Sequence, residues 1–177
     1  MTPLDEGRLT FTFSGDSLAT QYDDWTFYKS HIQSAWGGCK AIDFICVHQR
    51  QTWLIEVKDY RIDRRTKILD FGDEIALKVR DTLAGLAAAR CNANDADERR
   101  MAGEALQCKK LRVVLHLEQP RNPSKLFPQV IDPSKMTQKL KQKLKAVDAH
   151  PRVVDKHSLK SNPDMCWSVD ESSSYKH

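Results

Sequence analysis

The amino-acid sequence predicts an α/β domain in which a mixed central sheet is flanked by helices on both faces. Residues 41–47 and 52–57 are short runs rich in Ile, Val, Phe and Trp, separated by the polar stretch His48-Gln49-Arg50-Gln51, which is the pattern of a hairpin. Both runs are apolar at odd and even positions alike, so both sides of the sheet must be covered. Before and after them, apolar residues recur every three or four positions, the spacing of helices that bury one face.

Taken in order, Leu9, Phe11 and Phe13 alternate with Thr10 and Thr12, which predicts a strand that stops at Ser14-Gly15. Asp16 or Ser17 can then cap a helix whose stripe is Leu18, Tyr22, Trp25, Tyr28, Ile32 and Trp36, ended by Gly37-Gly38. Beyond the hairpin, charge dominates residues 59–67, and Asp73 or Glu74 opens a helix with the stripe Ile75, Val79, Leu83 and Leu86. A polar stretch over 91–110 reads as a helical extension through Met101 and Leu106, and 111–117 as a strand centred on Val113-Val114-Leu115. A connection containing Pro120, Pro123 and Pro128 leads to Asp132-Pro133, an N-cap followed by proline at the first helical position. The helix it opens, over 133–147, has a narrow stripe of Met136, Leu140, Leu144 and Val147 among many lysines. Residues 152–155 suggest a short strand. The expected division is a domain over 1–157, with its core at about 16–117, and a loosely ordered tail over 158–177 anchored at Met165 to Trp167.

With 177 residues, 40% hydrophobic and 29% charged, the chain is long enough for one core and short for two. A net charge of +4 leaves nucleic-acid binding to local patches, not to the whole surface. The five cysteines are scattered with no C-x-x-C spacing, which argues against a disulfide framework. Cys39, Cys46 and His48 lack a fourth partner for zinc. The four tryptophans read as core anchors. Neither a leader nor a membrane-spanning run is evident, so a cytoplasmic, soluble protein without a membrane partner is expected.

Chemistry concentrates in AIDFICVHQRQTWLIEVKDY, where Asp43 precedes Glu56-Val57-Lys58. Residues two apart on a strand share a face, so Glu56 and Lys58 point the same way. If the hairpin turns at Gln49-Arg50, positions whose numbers sum to 99 stand opposite, and Asp43 faces Glu56 across about 5 Å. Two carboxylates beside one amine suit Mg²⁺ or Mn²⁺, which take oxygen ligands and keep waters that a phosphate can displace. The Val57 carbonyl could be a third protein ligand. Such a cation would activate water and offset charge on a phosphodiester oxygen, with Lys58 orienting that water or stabilising the transition state.

These residues resemble the PD-(D/E)xK, or restriction-endonuclease-like, superfamily, and the wording IDFICV…WLIEVKDYR is most similar to its Holliday-junction-resolvase-like and Mrr-like branches. The resemblance implies an αβββαβ core, Asp43 and Glu56 as metal ligands, and Lys58 as the catalytic lysine. In place of the acid that many members carry on the first helix, it implies Asp24 in preference to Asp23. The implied activity is a Mg²⁺- or Mn²⁺-dependent phosphodiesterase: a DNA endonuclease working as a homodimer or within a larger complex, for example in defence or restriction. Alternatives are a catalytically idle nucleic-acid-binding or assembly subunit, a structure-specific junction resolvase, and RNA in place of DNA. Expected phosphate contacts are Arg61, Arg64, Arg65 and Lys67 after the catalytic strand, Lys78 on the following helix, and Lys139 and Lys143 on the lysine-rich helix. A solvated face is the ordinary alternative for all of these.

Overall fold

Between Phe44–His48 and Gln51–Asp59 the chain reverses within two residues. Gln49 and Arg50 adopt φ values of 46° and 60°, the left-handed pair whose twist matches that of antiparallel strands. The computed structural model describes residues 1–62, 70–120 and 131–172. The expected register is present, since Phe44 pairs with Ile55 and His48 with Gln51, each pair summing to 99.

Eight strands are seen among the described residues. They are β1 (Thr2–Glu6), β2 (Leu9–Phe13), β3 (Leu18–Gln21), β4 (Phe44–His48), β5 (Gln51–Asp59), β6 (Lys110–Glu118), β7 (Arg152–Val154) and β8 (Trp167–Glu171). A mixed five-stranded sheet has the order β3-β4-β5-β6-β7, antiparallel as far as β5 and parallel from there. A separate antiparallel sheet has the order β1-β2-β8. Three helices, α1 (Phe71–Asn92), α2 (Ala96–Gln107) and α3 (Pro133–Leu144), are each capped by an aspartate at the preceding position. Asp70, Asp95 and Asp132 accept hydrogen bonds from the free N–H groups of the first turns. α1 therefore starts ahead of the expected Asp73.

The two faces of the five-stranded sheet are covered differently. Ile45, Leu54, Val113 and Leu115 pack against Ile75, Val79 and Leu86 of α1, Ala102 of α2, and Leu140 of α3. On the other side, Phe44, Trp53, Ile55, Val57 and Val114 meet Leu9, Phe11 and Phe13 of β2 and Trp167 and Val169 of β8. The mixed sheet flanked by helices is thus present, but the second face is closed by a small sheet where helices were expected. An all-apolar strand demands a cover on each side without specifying its kind.

Two further expectations change. Residues 16–36 do not form one helix: Leu18–Gln21 pairs with β4, and only short turns of π- and 3₁₀-helix follow, at Tyr28–Ile32 and Ala35–Gly37. Tyr22, Trp25, Tyr28 and Ile32 are buried as the stripe requires, whereas Leu18 is 46% and Trp36 76% exposed. The ladder with β4 satisfies the backbone of 18–21 and outweighs the local helical period. The stretch from Ser158, expected to be loose, carries β8, whose Trp167 and Val169 are buried against β2. No helix among the described residues is long and apolar enough to cross a membrane.

α1 meets the Tyr22 segment through a glycine. A Cβ built on Gly85 would overlap the Tyr22 hydroxyl oxygen, in a place where Tyr22 is packed by Trp25 and Tyr28. Gly85→Ala should therefore destabilise the protein by about 1–3 kcal/mol in urea titrations, despite alanine's better helix propensity. Adding Tyr22→Phe should recover most of that loss, and a double variant no more stable than Gly85→Ala would rule out this overlap as the cause.

Candidate metal centre

Asp43 sits one residue before β4, in a segment fixed on both sides. The Asp81 carboxylate of α1 accepts from the Lys40 N–H at 2.9 Å, and the Thr82 hydroxyl accepts from the Ile42 N–H at 3.1 Å. The Tyr22 N–H donates to the Asp43 carbonyl at 2.8 Å. Its side chain is then aimed at β5, where Oδ2 accepts from the Val57 N–H at 2.6 Å. Helix and edge strand fix the backbone around Asp43 and the hairpin holds its carboxylate, and the residue is 5% exposed.

Glu56 lies on the helix-facing side of β5 and is 1% exposed. Its Oε1 receives Lys58 Nζ at 2.5 Å and Lys78 Nζ of α1 at 2.6 Å, while Oε2 is buried with no hydrogen-bond partner. Lys78 also reaches Asp43 Oδ1 at 3.6 Å, so one ammonium bridges both acids. Lys58 further donates to the Val57 carbonyl at 3.0 Å, which engages the oxygen expected as a third ligand.

Two more acids complete the group. Carboxylate oxygens of Glu6, at the end of β1, and of Asp23, after β3, lie with one of Asp43 within 4.8 Å of one another. Burial, then the charge of Asp43, pushes Glu6 up to about 7 and Asp23 up to about 6. Burial and Asp43 likewise raise Glu56 to about 7. For Lys58, burial opposes the charge, but Glu56 and Asp43 outweigh it and hold the ammonium above its usual range. Glu6, Asp23 and Asp43 could share one ion through hard oxygens, and Glu56 stands next to them across Lys78 with one buried oxygen unsatisfied.

The structure thus brings together Asp43, Glu56, Lys58 and Lys78 and adds Glu6 and Asp23. Asp24 is not among them, for it points outward and pairs with Lys29 at 2.7 Å. Glu6 was missed, although its signal was present: Leu4 and Glu6 continue the β2 alternation back across Gly7, whose φ of 56° makes the hairpin turn. The expected phosphate contacts fare differently. Arg61 is held by Asp59 at 2.7 Å and Glu171 at 2.5 Å, tying β5 to β8. Lys139 pairs with Asp70, and Lys143 with Asp73 at 2.6 Å, fastening α3 to the first turn of α1. Arg64, Arg65 and Lys67 lie outside the described residues.

No family model matches the chain, and no solved structure matches it. A cysteine–tRNA ligase of Neisseria meningitidis (serogroup A / serotype 4A, strain DSM 15465 / Z2491) is 34% identical over 164 residues, covering 75% of this chain and 23% of the ligase. The chain thus spans about a quarter of the length of that curated relative. This similarity overturns the expected DNA nuclease, its phosphodiesterase chemistry and its place in defence or restriction. The region matched belongs to a ligase named for tRNA, and the D-x(12)-E-x-K spacing is short enough to arise in other settings.

The raised carboxylates set a direction for stability. Glu56, Glu6 and Asp23 hold their protons more tightly when folded, so their contribution is full below about pH 4 and is lost as pH rises through their folded values of about 6 to 7. Asp59, Glu118 and Asp164, whose values are lowered, lose their contribution only below that window. In chelator, the thermal midpoint should fall between pH 4.5 and about 7, and Glu56→Gln should flatten the slope. A wild-type midpoint that climbs across this window would contradict the assignment.

Proposed function

We propose that the chain is a tRNA-ligase-associated module that holds a divalent cation and, through it, a phosphate of RNA. The observation that carries this reading is the cluster of Glu6, Asp23 and Asp43, whose carboxylate oxygens lie within 4.8 Å of one another, next to fully buried Glu56, whose Oε2 has no partner and whose Oε1 shares Lys78 with Asp43. Mg²⁺ or Mn²⁺ would supply a positive centre at which a phosphate oxygen displaces a water. Asp43 and Glu56 would be its main protein ligands, with Asp23 and Glu6 completing the negative shell. Lys58 and Lys78 would turn their ammonium groups from Glu56 toward the phosphate once the cation neutralises that carboxylate.

The choice of RNA is supported by the ligase relative, which is named for a tRNA. Three antiparallel strands followed by helix and a parallel fourth strand support part of the αβββαβ core that the PD-(D/E)xK resemblance implies, whose leading helix is not formed and whose second helical position holds both α1 and α2. We keep that resemblance as a reading of the fold, separate from any activity.

Calorimetric titration with Mn²⁺ should give one site, weakened about tenfold or more by Asp43→Asn and by Glu56→Gln. Filter binding should then show tRNA retained with Mn²⁺ and released by chelator. Lys58→Ala and Lys78→Ala should lower tRNA affinity with Mn²⁺ binding kept, and each should reduce the salt slope by about one if its ammonium neutralises one phosphate. Retention of tRNA that ignores both chelator and the acid variants would defeat the proposal, as would metal-dependent breakage of the tRNA.

A further inference from the structure

Cys46 and Cys166 are 120 residues apart in sequence, yet their Sγ atoms lie 3.5 Å apart. Cys46 is on the face of β4 turned toward the small sheet and is buried. Cys166 immediately precedes β8 and is partly exposed. Its backbone carbonyl accepts from the Ser14 N–H at 2.8 Å, just after β2, so the thiol sits on a fixed strand junction. The pair spans the seam between the two sheets. A disulfide would bring the two sulfurs to about 2.0 Å of each other. The other cysteines are engaged elsewhere or exposed: Cys39 donates to the Ala35 carbonyl, Cys108 to the Glu104 carbonyl, and Cys91 faces solvent.

The two sulfurs differ in character. The hydrogen bond from Cys46 foremost, with His48 and the hydroxyls of Ser14 and Ser17 nearby, holds the Cys166 thiol below its usual range. The bond with Cys166 and burial push Cys46 up. The accessible sulfur is thus the better nucleophile, and the buried one stands directly behind it.

We propose that Cys46 and Cys166 form a thiol–disulfide exchange site that reacts with small-molecule disulfides of the glutathione type. The Cys166 thiolate attacks one sulfur of the small disulfide, breaks its S–S bond and releases one thiolate. The Cys46 thiol then gives up its proton and its sulfur displaces the second small thiolate from Cys166, and that thiolate takes the proton. The protein pair loses two electrons, and the small disulfide becomes two thiols. The product is a covalent staple between the five-stranded sheet and the β1-β2-β8 sheet, and it is independent of any metal at the acid centre.

The test uses the full chain carrying Cys39→Ser, Cys91→Ser and Cys108→Ser, reduced and then incubated with oxidised glutathione. Peptide mass spectrometry should find Cys46 joined to Cys166 with no glutathione retained. The thermal midpoint should rise by about 10 °C, the size expected when a loop of this length is closed, and return on reduction. In the same background, Cys46→Ala should halt at a Cys166–glutathione adduct, and Cys166→Ala should leave Cys46 unmodified. A lasting glutathione adduct on Cys166 with Cys46 intact, or no modification of either thiol, would overturn the proposal.

Discussion

A carboxylate withdrawn from water into an apolar sheet face is unfavourable by several kcal/mol unless charge is placed around it. Glu56 is in that position, and much of the surrounding architecture follows from its compensation. Lys58 comes from the same strand two residues on, where the pleat returns a side chain to the same face. Lys78 comes from α1, so the helix that covers the sheet also brings the second positive charge. Because Lys78 touches Asp43 as well, the acids cannot separate without leaving a buried charge exposed to an apolar environment.

Around that core, both layers contribute acids. The five-stranded sheet supplies Asp43 and Glu56 and, just beyond β3, Asp23; the small sheet supplies Glu6. Packing of Phe11 and Phe13 against Phe44 is what seats the small sheet, so apolar burial on one face governs a polar grouping at its edge. Other elements are fastened by ion pairs: Arg61 with Glu171, and Lys139 and Lys143 with the first turn of α1. These basic residues are spent on architecture, which leaves Lys58 and Lys78 as the amines gathered with the acids.

Short-range geometry was the legible part of the sequence. The alternating period and the polar turn gave the hairpin its register, and register alone put Asp43 beside the Glu56 strand. What escaped depended on partners distant in sequence. The period of Tyr22, Trp25, Tyr28 and Ile32 was correctly apolar, but a ladder with β4 claimed the residues before it. Charge at Arg61, Lys139 and Lys143 was plain, whereas their carboxylate partners on β8 and α1 became visible only on folding. Asp23 and Asp24 are identical in type, and the turn after Gln21 alone decides which of them faces inward. Use lay further still from the residues: the same acids and amines can serve binding or hydrolysis, and the ligase similarity altered that reading without altering the geometry.

The most direct test of the acid centre is anomalous diffraction from crystals soaked in Mn²⁺. A single peak at about 2.0–2.3 Å from oxygens of Asp43 and Glu56, with Lys78 displaced from Glu56, is the predicted result. An empty centre at saturating Mn²⁺, with Lys78 still 2.6 Å from Glu56, would mean that these groups form only a buried ion-pair network.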